Sequence, residues 1–483
     1  MPLPFFVHSE TQPVRMVMSI PTRREFLTRA AGGCGAIALH AMLASEIAAE
    51  TSVAKDDPLA SKTPHFEPKA KRVIFLYMTG GVSHVDSFDH RPRLIANHGK
   101  KITVDNWQGK SGEFPRYLKQ PDWAFRPGGE CGAMVSDLFP HMRGIVDDLC
   151  IIRSMESDHT NHYEGTLGMH TGSWTFARPS IGAWVSYGLG TENENLPSFM
   201  VIAPKPPYAG AQTWGSDFLP GAHQGTWIVP GENPIPDIHP RVPSKLQQLE
   251  LQLLANANRK HLKERTADRV LEARIRSFET AFGMQREAPE AMDLSGETAA
   301  TLNAYGLSPG QKTGFGWQCL VARRLAEQGV RFIELIDVGS AANWDAHGNM
   351  ATHGPLAKNV DQPIAALIRD LKQRGMLDDT LVVWTTEFGR TPYHERSNHP
   401  GREHHHQVFS SWIAGGGVKR GLTYGSSDEF GIAVGENRVH VHDFHATILH
   451  LLGLNHEQLT FRHAGRDYRL TDVHGEVVTP ILT

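Results

Sequence analysis

The residues best suited to chemistry in this chain gather in short polar clusters, each next to an apolar run. Asp345 and His347 share one loop, Trp344-Asp345-Ala-His347-Gly-Asn349, and offer an oxygen and a nitrogen ligand, a combination that suits zinc, manganese or iron better than calcium. Glu387 directly follows Leu381-Val-Val-Trp-Thr-Thr386; buried there without a partner it would be costly, so it is expected to meet a metal or a cation, Arg390 being one candidate. Arg402-Glu403-His404-His405-His406 adds three imidazoles. Ser83, His84, Asp86 and Asp89 follow Thr79-Gly80-Gly81, and His159-Thr160-Asn161-His162 open another loop. There a helix is expected to begin, with Thr160 or Asn161 as N-cap, and the free N–H groups of its first turn would seat an anion or an activated nucleophile. Against each cluster stands a plainer reading, in which turn residues cap backbone and histidines sit in solvent.

Those clusters need strands to place them. Val73 to Met78 is an unbroken apolar run of the kind buried on both faces of a parallel sheet, and Leu149 to Arg153, Phe199 to Ile202, Val330 to Val338, Leu381 to Thr386 and Ser410 to Ala414 read as further strands. Helices are expected over Asp137 to Asp148, Phe315 to Gln328, Asn359 to Arg374 (stopped at Gly375) and Asp443 to Leu452. From about Lys245 to Gln285 the helical spacing is continuous, giving one long helix or a hairpin broken near Asn256 to Asn258. Gly99 to Gly129 and Ala203 to Pro240 read as ordered loops. The alternation predicts an α/β fold with a mainly parallel sheet covered by helices on both faces, carrying a helical insertion at about 244–300. In such sheets ligands bind beyond the carboxyl ends of strands, where the polar clusters fall.

Forty-eight basic against 52 acidic residues leave a formal charge of -4, so no basic field argues for nucleic acid. Twenty-seven histidines raise the expectation of a metal site. Thr22-Arg23-Arg24-Glu25-Phe26-Leu27, followed by the modestly apolar Ala30 to Leu43, resembles a twin-arginine export signal; the run is too short to span a bilayer as an anchor. Residues 1–49 are thus expected to be a signal region read by the Tat translocase, 50–70 a linker, and 71–483 the folded domain, placed in the periplasm or outside the cell. Cys131, Cys150 and Cys319 would remain after cleavage, an odd number that excludes a complete disulfide framework.

The blocks MTGGVSHVDSFDHRP, NHYEGTLGMHTG, FETAFGMQREAPEAMDLSGE, WDAHGNM, LVVWTTEFGRTP, GREHH and AGGGVKRGLTYGSSDEFG together resemble the family catalogued as domain of unknown function 1501, from about Arg72 to near Leu470. That family is similar to the alkaline phosphatase-like superfamily of phosphatases, sulfatases and phosphoglycerate mutases. The resemblance implies a one- or two-metal site at the strand ends. Asp345 and His347 resemble the Asp and His that hold one metal, His404 resembles the late histidine joining them, and Glu387 falls where a second metal is held.

Departures from the superfamily accompany the matches. Its first-strand aspartate would align near Thr79, so His84 and Asp86 would substitute from further along. Where phosphatases carry a nucleophilic Ser or Thr, Asn161-His162 stand here, with Thr160 adjacent. No Cys-x-Pro-x-Arg block exists, which disfavours the usual sulfatase mechanism, and Phe388 stands where a second metal would want His. The expected metal ligands are therefore His84, Asp86, Asp345, His347, Glu387 and His404, and the expected catalytic group is Thr160, Asn161, His162 and Arg390. The ion is expected to be divalent, zinc foremost, with manganese, calcium or magnesium as alternatives. The expected function is an exported metal-dependent hydrolase of phosphate or sulfate esters, acting on a small-molecule or polysaccharide anion. The rivals are a non-catalytic metal- or anion-binding protein on the same fold and an envelope- or carbohydrate-associated structural protein.

Overall fold

A computed structural model describes residues 58–105, 111–236, 238–239, 242–264 and 269–483. The twin-arginine segment and its cleavage region lie outside the described residues. A central nine-stranded sheet is built from β1 (Arg72–Tyr77), β2 (Leu149–Glu156), β3 (Phe199–Ile202), β4 (Thr226–Ile228), β5 (Phe332–Ile336), β6 (Thr380–Thr385), β7 (Phe409–Gly415), β8 (Leu422–Tyr424) and β9 (Val439–His440). Its order is β8-β2-β7-β6-β1-β5-β3-β4, with β9 also paired to β2. β1 lies between β6 and β5 and is parallel to both. β7 alone runs the other way, antiparallel to β6 and to β2.

β1 shows why these runs became strands. Ile74, Leu76 and Met78 point into one apolar core and Val73, Phe75 and Tyr77 into another, every one buried, so the strand must be apolar on both sides. The principal helices are α1 (His162–Thr171), α2 (Ile181–Leu189), α3 (Ser244–Glu264), α4 (Arg269–Met292), α5 (Phe315–Glu327), α6 (His353–Gln373) and α7 (Val441–Leu451). α4, α5 and α6 feed the first core, and α1, α2 and α7 the second. Along α6, Val360, Ile364, Leu367, Ile368 and Leu371 recur at helical spacing and are all buried. Each such side chain contributes about 1.5–3 kcal/mol on burial, which holds the helix in place despite Pro363 in its interior.

Several local expectations are corrected. Asp137 to Asp148 is not one helix: Pro140–Arg143 forms a single turn and Val146–Asp148 a 3-10 turn, with Gly144 between them. The first turn is capped from afar, since Asp361 accepts the N–H groups of His141 and Met142, both at 2.7 Å. Gly99 to Gly129 is not loop throughout. Lys101–Asp105 pairs with Glu113–Leu118, and Phe125–Gly128 with Ala133–Ser136, strands that Pro, Gly and Lys hide in the sequence. α3 runs through Asn256 to Asn258 as far as Glu264. α6 begins six residues before Asn359, because Pro355 falls in its first turn, where no intrahelical N–H acceptor is needed. Residues 58–70 pack on the domain despite their linker-like composition: Leu59 is buried and Lys62 donates its backbone N–H to Leu189. Among the described residues no helix is long and apolar enough to cross a membrane, and Cys131, Cys150 and Cys319 are free thiols.

His445, on α7, is buried with Nε2 against the Met169 carbonyl at 2.7 Å and Nδ1 without a partner. Burial pushes its pKa down to about 3. The folded chain therefore binds fewer protons there than the unfolded chain, and the resulting stability is present above pH 6.5 and lost as pH falls towards 3. We expect the His445→Gln variant to lose less stability than the wild type between pH 7.5 and 5.5, by about 1 kcal/mol in urea unfolding. Equal losses would show that His445 takes up its proton without unfolding.

Candidate metal centre at the strand ends

The ends of β1 and β6 are joined by a carboxylate. Glu387 is wholly buried, and its oxygens accept from the Tyr77 hydroxyl (2.9 Å), the Gly80 N–H (2.8 and 3.1 Å), the Thr386 hydroxyl (3.1 Å) and His162 Nδ1 (2.6 Å). One side chain thereby fixes two neighbouring strand ends and the start of α1. Gly80 permits the close approach that this requires. A Cβ there would stand 2.6 Å from the Trp344 nitrogen, and its φ of +115° disfavours any other residue.

The loop that brings Asp345 is held from below. Trp344 is fully buried and donates its indole N–H to Asp337 at the end of β5 (2.9 Å), and Asn359 on α6 donates to the other Asp337 oxygen (3.0 Å). Gly401 lets the segment carrying His404 lie against this loop, because a Cβ there would collide with the His347 carbonyl at 1.7 Å.

Three imidazoles then meet Asp345. His162 Nδ1 donates to Glu387 (2.6 Å), His347 Nδ1 to Glu403 (2.7 Å) and His404 Nδ1 to the Thr160 carbonyl (2.6 Å). With each Nδ1–H committed to an acceptor, each Nε2 carries a lone pair, and acceptors of this kind are how proteins orient metal-ligating histidines. The three Nε2 atoms face one carboxylate. His347 and His404 Nε2 lie 3.1 and 3.3 Å from Asp345 Oδ1 and 2.8 Å from each other, and His162 Nε2 lies 3.3 Å from Asp345 Oδ2. His162 Nε2 is also buried without a hydrogen-bond partner. Ligand atoms of His162, Asp345 and His404 lie within 4.8 Å of one another. Two lone-pair nitrogens 2.8 Å apart repel unless a cation or a proton lies between them, so the donor set fits a metal ion.

The electrostatics carry the same demand. Burial raises the Asp345 pKa, but its contacts with His162, His347 and His404 and the charge of Arg390 hold it well below the usual carboxylate range. Its bonds to Asp345 and Glu403 lift His347 to about 9, so without a metal this imidazole takes the extra proton. Burial lowers His404. For Glu387, burial raises the pKa, and the bond and charge of His162, a backbone N–H and the Tyr77 hydroxyl together more than offset it, leaving the carboxylate ionised.

The expected site residues divide. Asp345, His347 and His404 are brought together, and Glu387 reaches them through His162. His162, expected as a catalytic group, instead presents Nε2 alongside the metal-ligand candidates. Asn161 caps α1, its Oδ1 accepting from Tyr163 N–H (3.2 Å), and Thr160 orients His404 through its carbonyl. Arg390 is fully buried and donates to Asp345 Oδ1 (2.7 Å), to the Gly81 carbonyl (3.0 Å) and to the Gly80 carbonyl, so most of its N–H groups are already engaged within the protein. His84 and Asp86 are not brought to the cluster. Asp86 accepts from Arg402 (2.7 Å), Ser83 (2.5 Å) and the Asp122 N–H (2.8 Å); it is fully buried with Arg402, and its partners are already supplied. His84 Nε2 meets the Gly431 carbonyl (3.0 Å) and its ring stacks on His405. Phe388 packs its ring 4.9 Å from His162 and 4.8 Å from His404 as an apolar wall. The sequence reading missed the parts played by Glu403, Tyr77 and Tyr208. Tyr208 stacks on His162 at 4.2 Å, and its hydroxyl accepts from Asn343 (2.7 Å). Only Glu403, adjacent to His404, carried a signal that could have been read.

Fold and cluster define an α/β protein with a candidate metal-ligand set at the carboxyl ends of a mainly parallel sheet. The chain belongs to the family described as "Protein of unknown function (DUF1501)", which matches residues 70–482. No curated protein sequence matches it. Among solved structures it is similar to the lipoteichoic acid synthase LtaP from Listeria monocytogenes, at 9% identity over 85% of this chain and 78% of that one, with a TM-score of 0.37. It is also similar to alkaline phosphatase from the Antarctic bacterium TAB5, at 12% identity over 80% and 99% of the two chains with a TM-score of 0.32. A third is the PsFucS1 sulfatase from Pseudoalteromonas sp., at 10% identity over 80% and 68% with a TM-score of 0.33.

Removing one partner of a buried ionic pair costs about 3–5 kcal/mol. Glu387→Gln is expected to lose at least about 3 kcal/mol in urea unfolding, because its amide would set a donor against the Gly80 N–H or the Tyr77 hydroxyl. Undiminished stability would mean that the charge at this position is not what joins β1 to β6.

Proposed function

We propose that this chain is an exported, metal-dependent hydrolase of phosphate or sulfate esters. The observation that carries the reading is the convergence of His162, His347 and His404 Nε2 on Asp345, each imidazole fixed from behind by an acceptor on Nδ1. The charges agree. Asp345, Glu387 and Glu403 contact these imidazoles and Arg390 contacts Asp345, so three carboxylates and one guanidinium leave two negative charges, which a divalent ion would balance. Three nitrogens and one carboxylate suit zinc, manganese or iron(II). Such an ion supplies Lewis acidity toward an ester oxygen and lowers the pKa of a bound water.

The protein's own groups do the remainder. Glu387 holds His162 in one tautomer, Thr160 does the same for His404, and Arg390 keeps Asp345 ionised and aimed. The Tyr208 hydroxyl accepts from Asn343, which leaves its own hydrogen to offer to an anionic substrate oxygen beside His162. The N-terminus of α1 adds a positive dipole end at the same place. His347, with 40% of its side chain exposed, marks the side from which substrate enters. Export through the Tat pathway is proposed from Arg23 and Arg24 and suits a protein that acquires its metal while folding in the cytoplasm. A second reading, a metal-binding protein without turnover, is favoured by one observation: an imidazole, His162, faces the cluster where the superfamily carries a hydroxyl nucleophile.

Purified protein loaded with zinc or manganese is expected to hold close to one equivalent at this cluster. His347→Ala and His404→Ala are expected to lose it with unchanged circular dichroism, and to lower turnover of aryl phosphates or sulfates about 100-fold or more. Metal retained by both variants would remove the site. Metal lost, with no turnover by the loaded wild type on either ester class, would select the binding protein. For export, Arg23→Lys with Arg24→Lys is expected to keep folded protein in the cytoplasm, and export at the native rate would remove the Tat reading.

A further inference from the structure

A second cluster lies at the far end of α1, on the outer strands of the sheet. β9 runs parallel to β2 with Val439 opposite Met155 and His440 opposite Glu156, so the two strands end at one level. The chain beyond β2 places Asp158 there, and the chain beyond β9 places His440 and His442. His440 Nδ1 accepts the His442 N–H (3.3 Å) as the cap of α7, which leaves Nε2 facing Asp158 Oδ1 at 3.1 Å. The His442 ring stacks on His440 at 5.0 Å and meets His474 at 5.2 Å. One ligand atom from each of Asp158, His440 and His442 lies within 4.8 Å of the other two.

A local capping arrangement would satisfy His440 and Asp158 but not His442. That side chain is only 7% exposed, and its Nδ1 is buried with no hydrogen-bond partner. An imidazole nitrogen left without a partner is unfavourable unless something binds it. The three groups wall a cavity of about 830 Å³ that is also lined by His474, Arg178 and Arg469. The arginines are already paired, Arg178 with Asp472 (2.9 Å) and Arg469 with Glu457 (3.3 Å), so they leave little uncompensated positive charge to repel a cation. Two imidazoles and a carboxylate presented from one wall leave coordination positions open toward the cavity, a donor set that suits zinc, iron(II), manganese or cobalt rather than calcium.

We propose that Asp158, His440 and His442 form a second binding site for a divalent transition metal, distinct from the cluster around Asp345 and independent of the hydrolase reading. Chelator-stripped full-length protein titrated with cobalt(II) in equilibrium dialysis tests it. Asp158→Asn, which alters a half-exposed side chain, and His442→Ala are each expected to weaken one bound equivalent by at least about tenfold, since loss of a mere supporting contact to a ligand already costs 10–100-fold. His347→Ala is expected to leave that equivalent untouched, which separates failure of this site from failure of the other. If His442→Ala does not fold, Asp158→Asn decides alone. Cobalt binding by folded Asp158→Asn with wild-type stoichiometry and affinity, or no equivalent that survives His347→Ala, overturns the proposal.

Discussion

A single buried carboxylate organises the strand-end cluster of this molecule. Glu387 has no access to solvent, and four donors from β1, the turn after it, the residue that follows β6 and α1 converge on its two oxygens. A carboxylate so placed is stable only with its full set of partners, because desolvation costs several kcal/mol per ion and each missing donor leaves that cost unmet. The demand fixes the sheet ends relative to the helix, and His162 is the partner that passes the constraint on. Its other nitrogen is thereby aimed at Asp345, so the geometry of the cluster follows from how one charge was buried.

Around that centre the supporting groups repeat a single pattern. Each imidazole is tied at Nδ1 to an oxygen from a different part of the chain: Glu387 after β6, Glu403 beside His404 and the Thr160 carbonyl before α1. Asp337 does the equivalent for the Asp345 loop through Trp344, and burial lifts its pKa to about 7. Such polar groups are expensive inside a protein, and their concentration at one set of strand ends marks where the fold departs from what stability alone favours.

The sheet was largely legible because its central strands are apolar on both faces, a pattern that survives without knowledge of partners. Val73 to Met78, Leu381 to Thr385 and the run ending near Val338 lie side by side as parallel strands. Asp345, His347 and His404 were legible as types in loops after such runs. His84 and Asp86 had the same appearance, yet they serve a buried pair with Arg402 and a ring stack with His405, since residue type does not say which way a loop turns. His162 as a companion of Asp345 was hidden because the partners on its two nitrogens come from residues 345 and 387. The short hairpins between 101 and 136 were obscured by composition, their pairing being set by tertiary contact rather than by propensity.

The fully buried bond between Asp86 and Arg402 joins residues 316 positions apart. Arg402 stands two residues before His404, so this bond carries the last imidazole to a loop that leaves the ribosome far earlier. Closing so long a span is entropically costly, and chains dominated by such pairings fold slowly. During synthesis the central strand β1 must wait for both of its neighbours, β5 and β6, and the cluster stays incomplete until residue 404 has emerged. A nascent chain thus displays isolated histidines and carboxylates, and the convergence of His162, His347 and His404 on Asp345 becomes a late event in its maturation.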